Sequence, residues 1–294
     1  MTITKPELVS AIPTSSPAIH QAPSLPLELE REIFETAAVA NTRIIPTFLR
    51  VCRRVHAWIE PLLYRTLILT GDDSPYLIAL RAKPIEFQRK SVRHVYIQCS
   101  FFPSNFIRDL LSDLSDIQSL LMDGHYDVVE LRPVLDKVRP RKLSLWVQPH
   151  SPEWSPITPI RPLFLCVTHL ELFKPSFVPS TWEEWSPLAS LPALTHICLI
   201  QGLIVDLLQP VVRNCHQLQA VIAAYFEERS LHLAETLANN LPVADSRVVV
   251  MLQRDYVADW TVGARGGRDL WVRADDFLAQ KRCGKIPVST YFLG

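Results

Sequence analysis

The chain has 294 residues, 48% of them hydrophobic and 20% charged. That is a globular composition, long enough for one large domain or for a small module plus a larger one. Thirty basic and thirty acidic side chains cancel, so net charge gives no pull toward nucleic acid or an anionic membrane. Six cysteines are scattered without a Cys-x-x-Cys pair, which provides no disulfide framework and suits a reducing compartment.

Residues 1–23 are rich in Ser, Thr, Pro and Ala, with Pro6, Pro13, Pro17 and Pro23. Such a segment cannot bury a core and reads as a disordered leader. It has no basic region followed by an apolar run, and no apolar stretch in the chain is long enough to span a membrane. A cytoplasmic or nuclear protein is therefore expected.

The segment 24–69 reads as a helical module. Ser24 is a good N-cap, Pro26 fits a first helical turn, and Glu28 and Glu30 suit the positive end of a helix. Leu29, Ile33, Phe34 and Ala37 follow at helical spacing. After Pro46, a second pattern places Phe48, Leu49, Val51, Cys52, Val55 and Ile59 among Arg50, Arg53 and Arg54. Two or three short helices in roughly 45 residues cannot close a core around that much apolar surface, so part of it is expected to dock elsewhere.

These residues resemble an F-box, the helical module that plugs into the small adaptor subunit of cullin-RING ubiquitin ligases. Leu25-Pro26-x-Glu28-Leu29, the pair Ile33-Phe34, Val51-Cys52-Arg53 and the closing Leu62-Leu63-Tyr64-Arg65-Thr66-Leu67 stand in that family's order. One departure is the tryptophan, which falls late, at Trp58, with Val55 in the nearer position. The run from Arg54 to Arg65 is closer to the F-box-like variant of mushroom-forming fungi. The resemblance implies that Leu25, Pro26, Leu29, Ile33, Phe34, Val51 and Cys52 bind the ligase adaptor.

Residues 70–91 form a connector. Thr70 to Pro75 are dense in turn formers, and a helix is expected from Tyr76 to about Lys83. From 92 to 253 strand-like segments recur: Val92-x-x-Val95-x-Ile97, Ile117 to Leu121, Leu143-x-Leu145, Val167-x-x-Leu170-x-Leu172, Leu194-x-x-Ile197-x-Leu199, Leu218-x-x-Val221 and Val248 to Val250. Their spacing of roughly 23 to 30 residues is close to the leucine-rich-repeat range. Helical patterns lie between them, around Leu110, Leu131, Leu207 and Leu237.

Strand then helix, repeated, predicts parallel strands with helices on one side. A leucine-rich solenoid and a doubly wound sheet both satisfy it; the short regular unit and the L-x-x-L-x-L signature favour the solenoid. The asparagine that typically follows the strand in such repeats is missing, so the repeats are degenerate. The fold class is thus α/β: a helical F-box-like module followed by an irregular leucine-rich-repeat-like solenoid. The proline-rich run from Gln148 to Pro162 is expected as an irregular insertion, followed by a second aromatic-rich connection through Pro175, Pro179, Trp182 and Trp185. Each would lie on a binding face or cover an end of the sheet.

Residues 254–294 hold Gly263-Ala-Arg-Gly-Gly-Arg268 and then a helix expected from Asp269 to Arg282. A solenoid needs a terminal cap, and this tail is the candidate. The glycine-rich turn could also cradle phosphate with Arg265 and Arg268, although it matches neither the P-loop nor the dinucleotide fingerprint.

His94, His169 and His196 lie beside strand-like segments but are not expected to occupy equivalent positions in register. No paired His/Cys spacing marks a metal site, and no nucleophile elbow, zinc-protease helix or kinase set is present. The expectation is therefore an adaptor, not an enzyme, with no catalytic residue, cofactor or metal. Its partners would be the ligase adaptor subunit (by the resemblance) and an unidentified protein substrate, with no nucleic acid or membrane. The alternatives are a ligase-independent interaction solenoid, with 24–69 as its N-terminal cap, and a small α/β enzyme using the 263–268 turn.

Overall fold

The computed structural model describes residues 25–71, 75–146, 162–173, 181–226 and 230–294. The leader 1–23, Ser24, Pro175, Pro179 and nearly all of the proline-rich insertion lie outside them. Helix α1 (Leu27–Ala40) starts after Pro26, which is extended (φ −52°, ψ 142°) and supplies no side-chain cap. Two further helices follow, α2 (Ile45–Phe48) and α3 (Arg53–Leu63). The pattern expected to run through after Pro46 is therefore broken between Phe48 and Arg53. Ala38, Ile45, Val55 and Ile59 are buried together, with Phe34, Phe48 and Trp58 packed around them. The module thus closes a small core of its own.

The segment read as wholly helical to residue 69 instead ends in a strand, β1 (Thr66–Leu69). After α4 (Pro75–Arg81) and α5 (Ile85–Ser91) comes β2 (His94–Gln98). The chain continues through α6 (Ser104–Asp113), β3 (Ser119–Asp123), α7 (Val128–Leu135) and β4 (Lys142–Trp146). Next are β5 (His169–Phe173), α8 (Trp182–Trp185), β6 (His196–Ile200), α9 (Gly202–Asn214) and β7 (Ala220–Phe226). The remaining elements are α10 (Leu231–Asn239), β8 (Val248–Gln253), α11 (Tyr256–Ala264), α12 (Leu270–Arg282) and β9 (Phe292–Leu293).

Among the described residues nine strands pair in parallel and in chain order, β1 to β9. A doubly wound sheet would reverse its strand order at a switch point, where its ligands bind; this sheet has no reversal and is solenoid-like. One hydrogen-bond device repeats at its strand entrances. The carbonyl of Arg65 accepts from the N–H groups of Arg93 and His94, and that of Arg93 accepts from Gln118 and Ser119. The same arrangement recurs at Gln118, Arg141, Thr168 and Thr195, each carbonyl receiving two successive N–H groups from the next unit.

Side chains alternate across a strand, and here both faces are buried. Val95, Ile97, Leu120, Met122, Leu143, Leu145, Leu170 and Leu172 point into the main core, with α6, α7 and α9. The opposite face carries Tyr96, Leu121, Ser144, Glu171, Cys198 and Ile222 in one register row.

That opposite face is covered by the tail. Leu270, Trp271, Ala274, Phe277 and Leu278 of α12 pack on Phe173, Cys198, Ile200, Ile222, Val249 and Met251. Residues 254–294, read from the sequence as a terminal cap, therefore do two things: β9 extends the sheet beyond β8, and α11 and α12 lie across its face.

Candidate functional site

Three regions hold the candidate functional residues: the outer surface of the helical module, the polar row under the tail, and the glycine-rich turn. On the module, Leu25, Leu29, Ile33 and Val51 are 57%, 47%, 55% and 53% exposed. Pro26 and Cys52 are exposed as well. Leu29 and Ile33 stand one helical turn apart on α1, and Leu25 and Pro26 immediately precede that helix; Val51 and Cys52 sit in the bend between α2 and α3. Phe34 is the member that turns inward, its ring set edge-on to Phe48 at 4.9 Å and 83°. Trp58 also packs against the module's core, with the Arg54 guanidinium 6.0 Å from its ring.

The module rests on the following units through α3 and α5. Lys83 Nζ reaches Glu60 at 2.6 Å, and Tyr64 meets Phe87 edge-on at 5.6 Å. The exposed α1 residues take no part in that contact.

Under the tail, the histidines correct the sequence reading. His94, Ser119, Lys142, His169 and His196 occupy one register row at the strand starts. The rings of His169 and His196 stack at 4.3 Å and 8°, and the edge of Trp271 meets both. His196 Nε2 lies 3.0 Å from Asp275 of α12, and Thr195 Oγ1 lies 2.7 Å from its Nδ1. Burial, and then the neighbouring His196 and Lys142, lower the His169 pKa to about 3, so its ring is neutral at pH 7.

One row further along, Ser144 Oγ and Tyr256 OH both donate to Glu171 Oε2, at 2.8 and 2.7 Å. Burial raises the Glu171 pKa to about 7, against the pull of those two donors. Lys142 Nζ pairs with Asp269 Oδ2 at 2.8 Å, while Asp269 Oδ1 caps α12 by accepting from the Val272 N–H. Asp259 accepts from the Leu270 N–H and pairs with Arg273 at 2.7 Å. A cavity of about 150 Å³ adjoins this cluster, between His94, Lys142, Glu171, Tyr256 and Asp269. It is smaller than small-molecule sites of roughly 300 Å³ and upward, and offers room for a few waters. The cluster's evident work is to fasten α11 and α12 to the sheet.

Little in the sequence pointed to this cluster. Glu171 stands between Leu170 and Leu172, so strand alternation assigns it to the second face. Its partner Tyr256, however, lies 85 residues away.

The turn at 263–268 follows from the C-terminal end of α11, and the backbone donors of residues 265–267 are occupied. The N–H of Arg265 bonds back to Thr261 and Val262, that of Gly266 to Gly263, and that of Gly267 to Val262. Arg268 pairs with Asp276 at 2.7 Å. No backbone cradle for phosphate forms from these groups. Gly263 is required because a Cβ there would meet the Asp269 carboxylate.

Buried thiols are raised in pKa, Cys99 to about 12 and Cys215 to about 11, by desolvation. Among the described residues no three metal-ligating side chains converge, and no helix is long and apolar enough to cross a membrane. A scan against protein-family models finds no match, and no curated protein matches the chain in sequence.

Proposed function

We propose that this protein is a substrate-recognition adaptor of a cullin-RING ubiquitin ligase, built as an F-box-like module on a degenerate leucine-rich-repeat solenoid. The observation that carries this reading is the set of apolar side chains Leu25, Leu29, Ile33 and Val51, left exposed on a module whose own core closes without them. An amphipathic helix face of this kind fits a hydrophobic groove on a partner. The sequence resemblance names the ligase adaptor as that partner. The tail covers the second face of the sheet, so substrate contact falls to the connecting segments.

Co-expression with the host's ligase adaptor tests the reading. The intact chain should co-purify with it, and Leu29→Asp and Ile33→Asp should each weaken capture at least about tenfold, because each buries a charge against the groove. Both variants should melt like the parent, since neither side chain is in the core. Failure of the intact chain to bind, or undiminished binding by both variants, overturns the proposal.

The α3–α5 contact favours a second reading, in which the module caps the solenoid and serves a ligase-independent interaction protein. It predicts no adaptor binding but loss of solenoid stability on removal of 24–65. An enzyme using the 263–268 turn finds no support in a turn whose donors at 265–267 are already bonded.

A further inference from the structure

A second cleft, of about 600 Å³, lies between the helical module, β1 and the glycine-rich turn. We infer that it binds a small apolar carboxylic acid. The volume falls within the range of roughly 300 to 1,000 Å³ common to small-molecule sites. Val39, Ile45, Leu62, Leu63, Leu67 and Tyr76 supply apolar wall, and Arg65 and Arg265 are the two basic residues of the lining. Among the described residues the cleft is lined by no Asp or Glu, and neither arginine has an ion pair or side-chain hydrogen bond. His94 closes the wall between this cleft and the smaller cavity, buried, with both ring nitrogens lacking a hydrogen-bond partner.

A largely apolar chamber lined by two basic residues and, among the described residues, by no acidic one matches a ligand with an apolar body and one anionic end. A guanidinium fork donates paired N–H bonds to the oxygens of a carboxylate. Inorganic phosphate fits less well, because the N–H groups of Arg265 and Gly266 in the lining are already bonded and most of the other lining residues are apolar. The carboxylate at Gly294 cannot serve, since it follows β9 at the opposite edge of the sheet from β1, roughly 40 Å away at ordinary strand spacing. Leu25, Leu29 and Ile33 do not line this cleft, so the site stands apart from the proposed docking face and from its test.

The full chain should be titrated with dodecanoate below its critical micelle concentration, followed by calorimetry, with dodecanol and inorganic phosphate as controls. Dodecanoate should bind; dodecanol should bind at least about tenfold more weakly through the loss of a charge-assisted pair, and phosphate at least about tenfold more weakly because it lacks the apolar body. Arg65→Gln and Arg265→Gln should each weaken dodecanoate at least about tenfold. Thr42→Trp, at an exposed rim position, should block it by filling the cleft while leaving the melting temperature unchanged. Equal binding of dodecanol would make this an unselective apolar crevice and overturn the proposal, as would equal binding of phosphate or no binding of dodecanoate. Binding seen only after Asp72→Asn with Asp73→Asn would assign the cleft to the chain's own carboxylates, with the same consequence.

Discussion

Glu171 sits wholly inside the protein, its Oε2 accepting hydrogen bonds from two hydroxyls, those of Ser144 and Tyr256. Its carboxyl is about half protonated near pH 7. A folded-state pKa raised above the unfolded value means that the folded protein holds the proton more tightly. The contribution to stability is complete below about pH 4.5, declines as pH rises toward 7, and is flat above. The difference is on the order of 3 kcal/mol. Glu171→Gln keeps an oxygen for both hydroxyls and removes the titration. Urea denaturation at a series of pH values should show the parent losing stability relative to the variant between about pH 4.5 and 7, and a constant difference above that; parallel curves throughout would contradict it.

At the scale of elements, α12 illustrates what can and cannot be read ahead of the structure. Its helical span was legible: Asp269 caps it, and Leu270, Trp271, Ala274, Phe277 and Leu278 repeat at helical spacing. Its destination was not. A capping helix at the end of a solenoid and a helix laid over the sheet have the same amphipathic pattern. The strands show a similar limit. Their L-x-L positions identified the main-core face, whereas the second face mixes His, Ser, Lys, Glu and Cys, which sequence alone resembles a solvent face.

Units of unequal length hid the His94–His196 row, since register is fixed by the bifurcated carbonyls rather than by residue count. Strand β1 was concealed inside a run that resembles the end of an F-box, and the two residues of β9 become a strand only by pairing with β8. The exposed α1 stripe followed from the surplus of apolar residues in 24–69, although Phe34 turned out to belong to the module's own core. Trp271 anchors α12 against two histidine rings, so Trp271→Ala should cost about 3 to 5 kcal/mol in urea denaturation, the usual range for a buried aromatic. A loss below 1 kcal/mol would mean that the helix is held chiefly by its ion pairs.

For the whole molecule, the tail makes a two-layer solenoid into three layers: helices, sheet, and α11 with α12. Closing the chain at Arg254 would uncover Phe173, Cys198, Ile200, Ile222, Val249 and Met251 together. A continuous apolar surface of that kind marks an association or aggregation site. The truncated protein should bind a hydrophobic dye strongly and elute in size-exclusion chromatography as aggregate, whereas Leu29→Asp in the full chain should do neither. A monodisperse truncated protein without dye binding would mean that the tail is dispensable to the fold.

The same covering has a consequence in time. Tyr256 seals Glu171 on β5, and Trp260 lies 5.9 Å from Tyr96 on β2. During translation, β2 to β5 emerge well before the residues that shield their second face. At roughly 5 to 20 residues per second, the interval between Phe173 and Leu270 is on the order of 5 to 20 s. For that period the nascent sheet shows the ribosome's surroundings an unshielded face, and whatever chaperones attend this protein would find their work there.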